Sequence, residues 1–90
     1  MFKWAEGVTS ETVADVSAGL DKLADLECVV SYHHGPDAAL VEGNYDYAVV
    51  GRFDSVEGYQ AYATDEGHVA LVKKVIAPNI SARMAVQFAE

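Results

Sequence analysis

The segment from residue 44 to residue 53 alternates as a β-strand does. One face holds Tyr45, Tyr47, Val49, Gly51 and Phe53, and the other holds Asp46, Ala48, Val50 and Arg52. Apolar residues occur on both faces, so we expect this strand to be covered on two sides. A chain of 90 residues is long enough for only one core. The helices of the chain can cover one face of the sheet, and another molecule has to cover the other face.

Two helical segments are predicted to cover the sheet. The first is capped by Thr9 or Ser10, and its apolar stripe recurs at steps of three and four: Val13, Val16, Leu20, Leu23 and Leu26. The second follows Ser55 and carries a stripe of Val56, Tyr59, Tyr62 and Ala63. Residues 65–67 (DEG) interrupt it, and a further helical piece runs from His68 to Ile76 before Pro78 ends it.

Three further strands complete the predicted sheet. They span residues 2–4, residues 27–34 and residues 81–88. The order β-α-β-β-α-β is typical of an α+β, ferredoxin-like sandwich. Helices cover only one face of such a sheet, so the face with Ala48 and Val50 is expected to pack against a second copy. We therefore predict a homodimer with an isologous interface.

Charge and cysteine content narrow the partners and the compartment. Six basic residues stand against 14 acidic ones, a formal net charge of -8. Because phosphate contacts dominate nucleic-acid affinity, this surface argues against nucleic acid and against an anionic membrane. Asp21, Asp25 and Glu27 are interpreted as a solvated helix face. Cys28 is the only cysteine, which excludes an internal disulfide and fits a reducing cytoplasm.

The third strand and the segment after it resemble a known family. Residues 45–57 (YDYAVVGRFDSVE) and 59–69 (YQAYATDEGHV) are similar to the stress-responsive A/B-barrel (Dabb) proteins, and residues 2–4 and 9–11 fit as well. The resemblance implies one domain over residues 1–90 and two ferredoxin-like copies that form a dimeric α/β barrel. Family members usually have several more residues before the position of Met1, so the first strand is expected to be longer in the natural protein.

The resemblance also implies candidate site residues. In one branch of the family, the plant olivetolic acid cyclases, a Tyr and a His on the second helical segment close a linear polyketide by an aldol reaction. Those two positions match Tyr62 and His68. A further His of that pocket is replaced here by Tyr47, another lies in the stretch before Met1, and a His-Pro pair is replaced by Asp65-Glu66. No metal or organic cofactor is implied.

The predicted helix break decides whether Tyr62 and His68 can act together. On a continuous helix they would lie about 240° apart, whereas the break lets both point into one cavity. If Asp65 caps the second piece, the positive helix end disfavours an imidazolium at His68, and a neutral ring can act as a general base. Tyr62 could donate its hydroxyl to a carbonyl oxygen. The structural alternatives are a His that bonds the backbone at a kink and an aromatic core residue.

The strands are predicted to supply the pocket wall. The candidate substrate-binding residues are Tyr47, Val49, Gly51, Phe2 and Trp4, with core packing as the alternative for the aromatic ones. Gly51 has no side chain, which leaves space on the strand either for a ligand or for a packed helix. His33 and His34 face opposite sides of a strand and cannot chelate one metal together, although one of them near Asp37 is a minor metal hypothesis.

Three functions remain open. The first is a cofactor-independent cyclase, isomerase or lyase that acts on a polyketide-like or aromatic compound, with His68 as base and Tyr62 as hydrogen-bond donor. The second is a non-catalytic, stress-associated dimer that binds a small molecule in the same pocket. The third is a cofactor-free monooxygenase like the antibiotic-biosynthesis barrels, which share the fold.

Overall fold

Four strands form one antiparallel sheet, and the helices pack on one of its faces. The computed structural model describes residues 1–90. The elements are β1 (Phe2–Trp4), α1 (Ser10–Leu23), β2 (Ser31–Pro36), β3 (Tyr47–Arg52), α2 (Val56–Thr64), α3 (Glu66–Leu71) and β4 (Ile80–Arg83). A π-helical turn (Val72–Ile76) and a 3₁₀ turn (Ala77–Asn79) join α3 to β4. The strand order is β2-β3-β1-β4, which confirms the predicted ferredoxin-like α+β fold.

Helix α1 follows the predicted apolar stripe. Its N-cap is Thr9, whose hydroxyl accepts a hydrogen bond from the Thr12 N–H at 3.3 Å. The core consists of six buried residues: Phe2, Val16, Leu20, Leu23, Tyr47 and Ile76. With only six of 90 residues buried, one copy leaves much of its apolar surface in water. No helix combines the length and the apolar character that crossing a membrane requires.

The second helical segment breaks where the sequence predicts. Helix α2 ends at Thr64 and α3 begins at Glu66. The residue between them, Asp65, has a ψ of 134°, which takes the backbone out of helical geometry. The Asp65 carboxylate accepts the His68 N–H at 3.1 Å and so caps α3. His68 therefore lies in the first turn of the new helix.

The predicted bounds of the second and third strands are wrong at their starts. β2 begins at Ser31 rather than at residue 27, because the preceding residues form turns in which the Val29 N–H donates to the Leu26 carbonyl at 3.0 Å. β3 begins at Tyr47 rather than at residue 44. Just before it, the Asp46 carboxylate takes the Trp4 N–H at 2.9 Å in place of a backbone carbonyl, which interrupts the regular ladder.

The last strand is shorter than predicted. β4 ends at Arg83 rather than at residue 88. The Met84 N–H still donates to the Met1 carbonyl at 3.1 Å, and residues 84–90 form no further strand. Val86 and Phe88, which the predicted strand included, lie beyond β4 and are exposed. The alternating apolar residues of this segment remain without a cover in the single chain.

The sheet face opposite the helices is uncovered. Val49 packs against the core, whereas its neighbour Val50 is 59% exposed. Val50 pairs across the strands with His33, which is exposed too. This alternation confirms that the helices of one copy cover only one face. The predicted burial of β3 on both sides therefore requires a second molecule.

Candidate functional site

Tyr62 in α2 and His68 in α3 lie next to each other. Their ring centroids are 4.4 Å apart, and both side chains are half-buried. The Nδ1 atom of His68 lies 3.2 Å from the Ala63 carbonyl oxygen. A carbonyl oxygen only accepts, so Nδ1 carries the hydrogen, and a neutral ring then has its lone pair on Nε2. His68 thus bonds the backbone at the helix break and still offers Nε2 as a proton acceptor.

The Tyr62 hydroxyl is held by a residue of the sheet. The hydroxyl oxygens of Tyr62 and Tyr32 are 2.6 Å apart, and their ring centroids are 5.7 Å apart. Burial raises the pKa of both phenols above the usual tyrosine range. Both hydroxyls therefore stay protonated near neutral pH, and each has one hydrogen to donate. The bond between them uses one hydrogen and leaves the other for a ligand.

The candidate residues of β1 and β3 form a second aromatic cluster. The Tyr47 ring is 2% exposed and stacks on Phe2 at a centroid distance of 6.3 Å. Trp4 meets the Tyr47 ring edge-on at 5.6 Å. Such aromatic pairs stabilise a fold by more than their buried area alone. In the single chain, Phe2 and Tyr47 are therefore core residues, and Trp4 packs against the same core.

Val49 and Gly51 share the helix-facing side of β3 with Tyr47. Val49 packs partly buried against the core. A Cβ added at Gly51 would approach Tyr32 to 3.2 Å and Phe53 to 3.3 Å, which is tighter than ordinary contact. The space at Gly51 therefore accommodates two aromatic rings of the sheet and the segment after it. Of the two alternatives for Gly51, a ligand or close packing, this arrangement corresponds to close packing, with aromatic rings in place of the expected helix.

A chain of polar side chains links α1 to the sheet through His34. The Nε2 atom of His34 lies 2.7 Å from the Asp21 carboxylate, and its Nδ1 atom lies 2.7 Å from the Tyr47 hydroxyl. The carboxylate only accepts, so Nε2 donates, and in a neutral ring Nδ1 accepts the Tyr47 hydrogen. Asp21 is exposed, as predicted, but it is more than a solvated charge because it orients a ring that is nearly buried.

The two adjacent histidines face opposite sides of β2, as predicted. His33 is exposed on the uncovered face, whereas the His34 ring is nearly buried under α1. The Asp37 carboxylate is engaged locally, by the Ala39 N–H and by the Asn44 amide, both at 3.0 Å. No group of three or more His, Cys, Asp or Glu residues lies close enough together to hold a metal ion.

Two open cavities lie near the end of the sheet where β2 and β3 are joined. One has a volume of about 400 Å³, and its lining includes Asp37, Asn44, Tyr45 and Tyr47. The other has a volume of about 270 Å³ and adjoins the uncovered face. Neither of these two is lined by Tyr62 or His68.

The whole chain, residues 1–90, matches the family model described as Stress responsive A/B Barrel Domain. The chain belongs to this Dabb family. A solved dimeric ferredoxin-like protein of unknown function from Thermobifida fusca YX is similar to this Dabb protein. The two are 40% identical with a TM-score of 0.92, over 100% of this chain and 85% of the other.

Two more distant solved structures share the fold. A Dabb protein with a ferredoxin-like fold from Mesorhizobium loti MAFF303099 is 17% identical, with a TM-score of 0.74, over 90% of this chain and 81% of that one. A dimeric protein of unknown function with a ferredoxin-like fold from Bacteroides fragilis NCTC 9343 is 22% identical, with a TM-score of 0.71, over 94% of this chain and 85% of that one. A comparison with curated proteins found no match.

Sequence reasoning on this Dabb protein missed three polar residues around the site. The sequence pattern does not single out Tyr32, and it indicates His34 only as a metal ligand and Asp21 only as a surface charge. The alternation of β2 carries part of the signal, because Tyr32 and His34 are two residues apart and so share the helix-facing side. Which helix residues they meet depends on how α1 and α2 pack on the sheet.

Replacing Asp65 with Ala should destabilise the start of α3 and move His68. Loss of an N-cap side chain lowers the free energy of unfolding by about 0.5–2 kcal/mol. Urea denaturation measures that loss, and the His68 ring signals in ¹H–¹³C NMR report the displacement. Asp65→Asn retains an accepting oxygen and should stay close to the wild type. If Asp65→Ala changes neither stability nor the His68 signals, the cap does not position this ring.

Proposed function

We propose that this Dabb protein binds a small carbonyl compound and acts as a cofactor-independent cyclase, isomerase or lyase with His68 and Tyr62. One observation carries the proposal. The two rings are 4.4 Å apart, one with an Nε2 atom free to accept a proton and the other with a hydroxyl at a fixed position. A base beside a hydrogen-bond donor is what removal of a proton next to a carbonyl requires.

The reaction we propose begins with proton transfer. His68 Nε2 takes a proton from the carbon beside a carbonyl. The C–H electron pair forms a C=C bond, and the π pair of the carbonyl moves onto its oxygen to give an enolate. Tyr62 donates a hydrogen bond to that oxygen as negative charge develops and keeps its proton. In a cyclase, the enolate carbon then attacks a second carbonyl of the same molecule and forms a C–C bond. The new alkoxide recovers the proton from His68, so the step balances without an added reagent.

The walls of the site favour flat or aromatic compounds. Beside His68, the half-buried rings of Tyr62 and Tyr32 follow one another at centroid distances of 4.4 and 5.7 Å. Rings of this kind stack on other π systems. The formal net charge of -8 opposes anionic ligands. Neutral aromatic ketones and polyketide-like chains of ketones fit both features.

Deuterium exchange into the methyl group of acetophenone tests the proton-transfer step by ¹H NMR. We expect the wild type to accelerate exchange in D₂O and His68→Ala to lose about 10²–10⁴-fold of that rate. Tyr62→Phe should lose about 10²–10³-fold, because it removes the donor and keeps the ring. Thermal unfolding of each variant checks that the fold is retained.

A panel of β-polyketone thioesters, with mass spectrometry of the products, tests ring closure in the same way. If the wild type neither exchanges acetophenone nor converts any member of the panel, the enzymatic proposal is wrong. If His68→Ala unfolds the protein, the ring is structural and the site assignment fails.

A second candidate function is non-catalytic ligand binding. The cavity of about 400 Å³ favours it, because Tyr45 and Tyr47 line that cavity while Tyr62 and His68 do not. If the protein is a stress-associated binder of this kind, aromatic ligands should shift the NMR signals of Tyr45 and Tyr47. They should not be converted to products, and the His68 signals should not change. The monooxygenase hypothesis stays a prediction that no contact in the structure favours.

We propose in addition that the functional form is a homodimer. The uncovered face with Val50, the exposed apolar segment after β4 and the small core all leave surface that a second copy would bury. The 40% identical Thermobifida fusca protein is described as dimeric, which supports the same assembly here. The acidic surface argues against nucleic acid and anionic membranes as partners.

A further inference from the structure

The hydrogen bond between Tyr32 and Tyr62 joins the sheet to α2, and its direction decides what Tyr62 can do. The two oxygens are 2.6 Å apart, and either hydroxyl could donate across that distance. If Tyr62 donates to Tyr32, its only hydrogen is used and no carbonyl can receive it. If Tyr32 donates, the Tyr62 hydrogen remains available.

The place of Tyr62 in the site favours Tyr32 as the donor. Burial raises the pKa of both phenols, so both keep their hydrogens near neutral pH. Tyr62 is the ring beside His68, and a carbonyl bound there needs the Tyr62 hydrogen. The bond between the two oxygens then has to be donated by Tyr32.

The neighbours of each ring agree with that direction. The Tyr32 hydroxyl has Tyr62 as its hydrogen-bond partner. The Tyr32 ring also packs edge-on against the His34 ring, with the centroids 6.2 Å apart. Tyr62 lies beside His68, on the side where a reacting molecule would meet the Nε2 base. On that side, the Tyr62 hydroxyl can donate its hydrogen bond to a ligand. The Tyr32 hydroxyl can then donate to the Tyr62 oxygen.

We propose that Tyr32 is a positioning residue of this site: its hydroxyl donates to the Tyr62 oxygen and leaves the Tyr62 hydrogen for one carbonyl oxygen of the ligand. The inference rests on the proposed function, since it assumes that Tyr62 meets a carbonyl. A hydroxyl whose oxygen already accepts a hydrogen bond is polarised and becomes a stronger donor. Tyr32 thereby both orients Tyr62 and increases its power to stabilise an enolate.

The pair also limits the class of ligand. Two phenols with one bond between them leave a single hydrogen, which suits one ketone oxygen. A carboxylate or phosphate has more acceptor sites and a full charge, and it would meet this one donor on a protein of formal net charge -8. The substrate class that follows is a neutral ketone with an acidic C–H next to the carbonyl.

The bond that Tyr32 donates can be tested by a pKa change. Replacing the tyrosines with 3,5-difluorotyrosine moves phenol ionisation to lower pH and gives each ring a ¹⁹F signal. Tyr32→Phe should raise the pKa of the fluorinated residue 62, because its phenolate loses the hydrogen bond that Tyr32 donates. An unchanged or lowered pKa would overturn the proposal, since it would show that Tyr32 donates no hydrogen bond to that oxygen.

Two further variants make the titration decisive. Tyr62→Phe should raise the pKa of the fluorinated residue 32, whose phenolate also loses a hydrogen bond, and this reports the same contact should Tyr32→Phe fail to fold. Tyr59→Phe is the matched control, because the Tyr59 ring lies 6.3 Å from the Tyr62 ring without a bond between the hydroxyls. It should move the residue 62 pKa much less than Tyr32→Phe does, and an equal shift would count against the assignment.

Acetophenone exchange gives the functional readout. Loss of one hydrogen bond that supports a donor should lower kcat roughly 2- to 10-fold with KM nearly unchanged, and Tyr59→Phe should keep the wild-type kcat. A Tyr32→Phe variant with full kcat would overturn the positioning role. If the wild type shows no exchange, the proposed function fails, whereas the ¹⁹F titration still decides whether Tyr32 donates to Tyr62.

Discussion

Leu20→Ala should lower the free energy of unfolding by about 2–5 kcal/mol, the range seen when a buried leucine is truncated. Leu20 is 2% exposed on the sheet-facing side of α1, in a core of only six buried residues. Domains of this kind have total stabilities of about 5–15 kcal/mol, so the loss would be a large fraction of the whole. Urea denaturation at a fixed protein concentration measures it, because any dimer links stability to concentration.

Leu40→Ala is the matched control for Leu20→Ala. It makes the same chemical change in the segment between β2 and β3, where Leu40 is 85% exposed. We expect a change within about 0.5 kcal/mol, as is usual for surface substitutions. If both variants lose the same stability, the six-residue cluster is not the main core. If Leu20→Ala is as stable as the wild type, α1 does not pack on the sheet in the way described.

The periodicity of the chain was sufficient to predict most of the fold. The stripe of α1 places Val16, Leu20 and Leu23 in the core, because a helix buries one face whatever it packs against. The break at Asp65 was predictable for a local reason as well, since an Asp-Glu-Gly run favours a cap over a continuous helix. Both features depend on residues close together in the sequence.

Strand ends and the polar contacts of the site could not be predicted, because they depend on residues far apart in the sequence. β4 pairs with β1 up to Arg83, whereas alternation alone carried the prediction on to residue 88. Tyr32 meets Tyr62 only once β2 and α2 pack together, 30 positions apart in the chain. The contact of Asp21 with His34 arises in the same way, so a residue that looks like a surface charge anchors a ring.

Val50→Glu should convert a dimer into monomers if the uncovered face is the interface. Val50 lies on β3, an inner strand of the sheet, and is 59% exposed in the single chain. An isologous interface would bury two such carboxylates, one from each copy, and each unpaired buried charge costs several kcal/mol. Light scattering at micromolar concentration should give twice the 9.7 kDa chain mass for the wild type and the chain mass for the variant.

Val56→Glu distinguishes loss of the interface from a general effect of added charge. Val56 is 68% exposed, so the same Val→Glu change is made at an exposure similar to that of Val50. Val56 lies in the first turn of α2, where a carboxylate is favourable. This variant should remain dimeric. A wild type that is monomeric at micromolar concentration would remove the proposed assembly. If Val50→Glu stays dimeric while Phe88→Ser dissociates, the copies associate through the exposed segment after β4, and another partner covers the open face.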